Sequence, residues 1–272
     1  MLAATRPALA ALLLGVVACH AVPAPAPRED GHAPAPRASV SAPAPSASPS
    51  ASAPVEARTA PPPPPVPPKI LVLGDSLTDP KSHGGGFLDH LRERCPGLTV
   101  ANFAKGGFMV NQMRRRFVKE VLPGADAAGY THLLVFGGVN DLYSDETAGR
   151  TPEKVAADLT YLFDEARARK WKIVALTVAP WGGFKQYDSP KRRAATARLN
   201  RWILGQAAPP EITVLPTGPL LTCGDSEVLC ADVAGGARDG LHFGREGHRR
   251  LGEALRRLAF PECDRLAAAA ER

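Results

Sequence analysis

The tripeptide Gly-Asp-Ser occurs twice, in "KILVLGDSLTDP" at 69–80 and in "LLTCGDSEVLC" at 220–230. A serine hydroxyl becomes a nucleophile only when a neighbouring base takes its proton and fixed donors await the oxyanion. Ser76 follows four apolar residues, Ile70 to Leu73, and so lies where a buried strand gives way to a turn. Ser226 sits between two cysteines with no strand leading into it and reads as loop surface. Far along the chain, "DGLHFGREGH" sets Asp239 and His242 three residues apart, just before a helical stretch. A turn of that kind lets the carboxylate accept the ring Nδ1–H while Nε2 faces a hydroxyl. Two further strand ends carry suitable polar groups: "NFAKGG", with Asn102, Gly106 and Gly107, and "GGVND", with Asn140. Together these residues suit a serine nucleophile served by a base from the far end of the chain.

Those residues need elements to position them. Short continuous apolar runs read as buried parallel strands, and runs with 3.6-residue periodicity as helices. "KILVLGDS", "LTVANFAKGG", "HLLVFGGVND", "KIVALTVAP" and "EITVLP" are the five strand candidates. Between them lie a basic amphipathic stretch around 109–121 and helices over 151–170 and 190–205. Thr151 is the expected N-cap of the middle helix, with Pro152 at its first position. Its buried face is Val155, Leu159, Leu162, Phe163 and Ala166. A last helix carries Leu251, Leu255 and Leu258 on one side. Strands alternating with helices imply right-handed crossovers, hence a parallel sheet with helices on both faces. Ligands of such sheets sit outside the carboxyl ends of the strands. Ser76, the pair Gly106-Gly107 and Asn140 all fall there.

In order, "GDSL" with Ser76, "NFAKGG", "GVND" with Asn140 and "DGLH" with Asp239 and His242 resemble the four blocks of the SGNH or GDSL hydrolase superfamily. The resemblance spans nearly the whole domain. It implies an α/β fold, a three-layer α/β/α sandwich around a flavodoxin-like, parallel five-stranded sheet, and hydrolysis of carboxylic esters. It also implies roles: Ser76 as nucleophile, His242 as general base, Asp239 orienting His242. The oxyanion donors are then the Ser76 N–H, a glycine N–H of the second block and the Asn140 side chain. Counting five positions from Asn102 selects Gly107, although Gly106 adjoins it. Ala104 and Phe243 depart from the residues frequent at their positions. No metal and no cofactor is implied.

Other candidates have plainer readings. His83, seven residues after Ser76, has no carboxylate at a matching spacing. His90 and His248 read as helix residues, and His132 as the start of a strand. Asp79 reads as a helix cap and Asp141 as a turn former. Trp181 in "APWGGFKQY" is expected either to line an acyl or sugar pocket, with Gly182 and Gly183 giving mobility, or to pack at an edge. The histidines and cysteines show no metal-ligand spacing.

Ahead of this domain, "PALAALLLGVVAC" is an apolar run too short to span a bilayer, behind a single positive charge at Arg6. Its end, Val16-Val17-Ala18-Cys19, resembles the lipobox of bacterial lipoproteins, so residues 1–19 read as a signal and Cys19 as a lipid acceptor. Residues 20–68 are nearly all Ala, Pro and Ser, with too little apolar surface to offset the entropy of ordering. They read as an extended tether reaching on the order of 100 Å. Residues 69–272 form the hydrolase domain. Export fits the remaining cysteines, expected to pair as Cys223–Cys230 across a short loop and Cys95–Cys263. The expected place is the cell envelope, as an exported lipoprotein anchored through lipid on Cys19, in the periplasm at the outer membrane or at the cell surface. The net charge of +6 gathers in "MRRRFVK", "PKRRAATARLNR" and "HRRLGEALRR", which read as solvated helix faces. Without interleaved aromatics they do not suggest nucleic acid. The leading activity is a serine esterase acting on acetylated glycans or lipid esters. An acyltransferase acting on envelope glycans and a non-catalytic glycan-binding lipoprotein are the alternatives.

Overall fold

The computed structural model describes residues 66–224, 227–235 and 239–271. The signal-like run, Cys19, most of the tether and Ser226 lie outside the described residues. Five strands form one sheet: β1 (Lys69–Gly74), β2 (Thr99–Asn102), β3 (His132–Phe136), β4 (Lys172–Leu176) and β5 (Ile212–Leu215). Their order is β2-β1-β3-β4-β5 and every pairing is parallel. The helices are α1 (Gly86–Glu93), α2 (Val110–Arg116), α3 (Ala125–Ala128), α4 (Val139–Tyr143), α5 (Asp145–Ala148), α6 (Pro152–Ala168), α7 (Pro190–Leu204), α8 (Gly218–Leu221), α9 (Arg245–Ala259) and α10 (Glu262–Ala270).

The order explains the layers. From β1 the chain crosses one way to β2, then returns past β1 to β3 and continues through β4 to β5. Right-handed crossovers in opposite directions place their helices on opposite faces. Accordingly α1 packs on α9, while α2, α6 and α7 pack on one another in turn. Both faces of β1 and β3 are thereby covered, so Ile70 to Leu73 and the whole of β3 are buried runs rather than alternating ones. The reversal falls between β1 and β3, which run in register from Ile70↔His132 to Gly74↔Phe136. Their carboxyl ends therefore open side by side, the usual place for a ligand in such a sheet.

The middle helix forms as its sequence requires. Thr151 accepts a hydrogen bond from the Lys154 N–H at 3.3 Å, Pro152 fills the first turn, and the expected apolar face is buried. The basic stretch after β2 is α2 followed by a single π turn, Phe117–Val121. On α9, Leu251 and Leu255 are buried, but Leu258 is 58% exposed. The shorter α1 covers that stripe only from Gly86, beside His248, to about Leu91, beside Gly252. Beyond it the chain turns into α10, which the sequence reading did not anticipate. Cys95 bonds Cys263, tying the end of α1 to α10, and Cys223 bonds Cys230 across the loop before α9.

Candidate active site

After Gly74 the backbone turns sharply, because the Asp75 carbonyl accepts from the N–H groups of both Thr78 (3.1 Å) and Asp79 (2.9 Å). The Asp75 carboxylate also accepts from the Leu77 N–H at 3.0 Å. Ser76, held between these anchors, is half-buried, and its own N–H has no acceptor among the described residues. Its Oγ lies 2.9 Å from His242 Nε2. The other ring nitrogen, Nδ1, lies 2.6 Å from Asp239 Oδ2. Asp239 Oδ1 accepts the N–H groups of Leu241 (3.0 Å) and His242 (2.9 Å), so one carboxylate grips both the ring and the turn that carries it. Burial works against charge on Asp239, but the bonds from the His242 ring and these two N–H groups outweigh it. The carboxyl is held below the usual range and stays ionised. Residues 166 apart in sequence thus meet because both lie at the carboxyl edge of the sheet.

The second block folds over this turn. Asn102 Nδ2 donates to the Thr78 carbonyl at 3.0 Å, and the Lys105 N–H donates to the Gly74 carbonyl at 3.1 Å. Asp79 caps the short turn Pro80–Ser82 and accepts the Gly106 N–H at 2.9 Å. That N–H is consequently occupied. Gly107, at φ +77°, has an N–H with no acceptor among the described residues. Only a residue free of a Cβ adopts this left-handed conformation readily. Asn140, 3% exposed at the start of α4, donates through Nδ2 to the Phe108 carbonyl at 3.0 Å. One N–H of its carboxamide is left over.

Ser76, Gly107, Asn140 and His242 line one open cavity of about 790 Å³, whose apolar walls include Tyr143 and Phe184. A hydroxyl, an imidazole and three unoccupied N–H donors around such a space can activate a nucleophile and receive a developing oxyanion. The GDSL-like lipase/acylhydrolase family matches residues 72–250, which carry all of these groups. The chain belongs to this family.

Solved GDSL-like structures share the fold at low identity. A GDSL-like lipase from Bacteroides thetaiotaomicron is 16% identical, with a TM-score of 0.54 over 70% of this chain and 86% of its own. A lipase/acylhydrolase from Enterococcus faecalis is 20% identical, with a TM-score of 0.52 over 70% and 94%. A variant of an acetyl-xylooligosaccharide esterase from Geobacillus Stearmophilus is 19% identical, with a TM-score of 0.55 over 72% and 96%. No curated protein matches the chain.

Within this GDSL-like site several residues stand differently from their sequence reading. Tyr143 was missed: its hydroxyl donates to Asn140 Oδ1 at 2.7 Å and fixes the carboxamide from the side opposite Phe108. The three-residue spacing on one helix was the available signal. Trp181 packs rather than lines the cavity. It is 3% exposed and donates through Nε1 to Thr196 Oγ1 at 3.0 Å. Gly182 and Gly183 serve close packing, not mobility: the Gly182 N–H bonds the Glu227 carbonyl, and a Cβ on Gly183 would lie 2.9 Å from Gly240 Cα. Gly240, at φ +79°, lets the turn between Asp239 and His242 press against Gly183. Asp141, buried, accepts the Val110 N–H at 2.9 Å and Arg150 Nε at 2.6 Å, joining α4 to the start of α2. His83 lines the cavity, but the ring bonded to Ser76 is that of His242. Buried His248 stacks on Phe87 and meets Phe243 edge-on, and burial lowers its pKa to about 4.

Proposed function

We propose that the protein is a serine esterase that hydrolyses carboxylic esters through Ser76, His242 and Asp239. Ser76 Oγ attacks the acyl carbonyl as His242 Nε2 takes its proton, and ionised Asp239 stabilises the resulting imidazolium. The oxyanion is met by the N–H groups of Ser76 and Gly107 and by Asn140 Nδ2. Gly107 is chosen over Gly106 because Asp79 already engages the Gly106 N–H. Collapse expels the alcohol, which receives the proton from His242. Water then attacks the acyl-serine with His242 again as base, restoring Ser76 and releasing the acid. The observation that carries the reading is the continuous chain from Ser76 Oγ through the imidazole to Asp239, at 2.9 and 2.6 Å.

An acetylated glycan or a lipid ester is the proposed substrate. We assign the head to the cell envelope, anchored by lipid on Cys19 through a tether over 20–68. In support, two disulfides fit an oxidising compartment. Nitrophenyl esters of graded chain length test the activity. Ser76→Ala should lower turnover about a thousandfold or more, and Ser226→Ala should leave it intact. Equal activity in both variants would remove the proposal. Mass spectrometry of the mature protein should find Cys19 at its N-terminus carrying lipid; an unmodified Cys19 would remove the anchor.

A further inference from the structure

The three basic clusters differ in how their charges are spent. In the second, Lys191, Arg192, Arg193 and Arg198 pair with carboxylates, and the exposed Arg201 alone has no such partner among the described residues. In the third, Arg249, Arg250, Arg256 and Arg257 pair with Glu246 or Glu253. In the first, Arg114 is held by Asp158 and Arg116 by Glu120. Arg115 and Lys119 are exposed and have no carboxylate partner among the described residues. They lie four apart, so they share one face of the helical segment and stand as neighbours. Lys105 joins them from the loop of the second block, its ammonium over the Phe108 ring at 5.2 Å. These three cations border one groove of about 300 Å³, together with Phe108, Gln112 and Arg116. Glu120, already held by Arg116, is its one carboxylate.

The groove's position gives it meaning. Gly106 and Gly107 line the catalytic cavity, and their immediate neighbours Lys105 and Phe108 line the groove. Consecutive residues, 105 to 108, thus divide between the two hollows. On the cavity's own wall the charged side chain is Arg245, also exposed and without a carboxylate partner among the described residues. We infer that the substrate is an acyl ester of an acidic glycan, whose ester enters at Ser76 while carboxylates or phosphates further along the polymer occupy the groove of Lys105, Arg115 and Lys119. This rests on the esterase reading above. Charge complementarity selects an anion, and a concave groove lined by residues next in sequence to those of the cavity selects a strand over a flat lipid surface.

The probes are acetylated polygalacturonate, acetylated neutral xylan and deacetylated polygalacturonate, used with the full chain. The ratio of kcat/KM for the acidic ester to that for the neutral one should exceed unity and fall with added salt. Arg115→Glu with Lys119→Glu should lower that ratio about tenfold, mainly through KM. Lys105→Gln, on a different element, should lower it in the same direction. A ratio of two rates is independent of how much enzyme is folded. Deacetylated polygalacturonate should retard the Ser76→Ala protein in affinity electrophoresis and release it when the groove charges are reversed. A ratio unchanged by those substitutions overturns the inference. So does retention on anionic lipid vesicles without any on polygalacturonate. Intact polymer binding with no ester turnover by the unaltered chain would instead sink the esterase reading and support the groove as a glycan site.

Discussion

Replacing Tyr143 with phenylalanine removes one oxygen and tests whether the Asn140 carboxamide must be held from both sides. The hydroxyl donates to Asn140 Oδ1 at 2.7 Å, and Nδ2 donates to the Phe108 carbonyl at 3.0 Å. At 3% exposure Asn140 has little access to water in compensation. A neutral hydrogen bond of this kind contributes about 1 kcal/mol net, and an unpaired buried acceptor costs about 1–3 kcal/mol. An entire oxyanion donor is worth about 3 kcal/mol of barrier. Losing one of its two supports should therefore lower kcat about five- to tenfold. KM should change little, because the proposed donor, Asn140, would act where charge develops. The cavity wall is retained, since the ring of residue 143 keeps its edge contact with Phe184 at a centroid distance of 5.9 Å. Steady-state hydrolysis of nitrophenyl acetate should be measured for Tyr143→Phe, Asn140→Ala and the double variant. If Tyr143 acts through Asn140, it adds almost nothing once Asn140 is gone. An equal loss in both backgrounds, or an effect confined to KM, refutes the reasoning.

Gly240→Ala should abolish most activity with smaller loss of fold. Its methyl would overlap the Gly183 carbonyl, and φ +79° disfavours a side chain, so the turn carrying Asp239 and His242 must move. Ester turnover beside circular dichroism checks this, and an unimpaired variant contradicts it. Stability should fall as pH drops from about 6.5 to 4. Burial holds His132 and His248 at pKa values of about 4, below the ordinary 6.5, so the unfolded chain binds more protons there. Each contribution is full above pH 6.5 and lost as pH falls through the folded value, about 3 kcal/mol apiece at the limit. Asp75 runs the other way: burial raises it to about 7, so its contribution is present below pH 3.8 and lost as pH rises through 7. Burial raises Asp141 as well, but the two histidines together with the lowered carboxyls Asp79, Asp145 and Asp239 leave a net acid loss. Urea midpoints at pH 7 and pH 5 should show it, and His248→Gln should flatten the difference; a flat unaltered protein contradicts the account.

The fold was legible because buried parallel strands leave unbroken apolar runs, as at Ile70 to Leu73, and because Thr151-Pro152 marks a helix start. The polar groups at three strand ends were legible by the same logic: once the strands are parallel, their carboxyl ends share one edge. What sequence could not supply is which donor is already taken. Gly106 and Gly107 are chemically alike until Asp79, 27 residues earlier, folds back onto one of them. Likewise Leu258 sits on the apolar stripe of α9, but only the length of α1 decides that it is left uncovered. Trp181 shows the converse limit, since a strand end fixes the edge of the sheet on which a side chain lies and not the direction it points.

The most direct test of the central claim is to find the residue that becomes covalently modified. A fluorophosphonate probe reacts with a serine only where a base and an oxyanion site activate it. Incubation of the full chain, digestion and peptide sequencing by mass spectrometry should find the adduct on Ser76 and should find none in His242→Ala. Labelling at Ser226, or equal labelling of Ser76 with and without the His242 imidazole, would contradict the account.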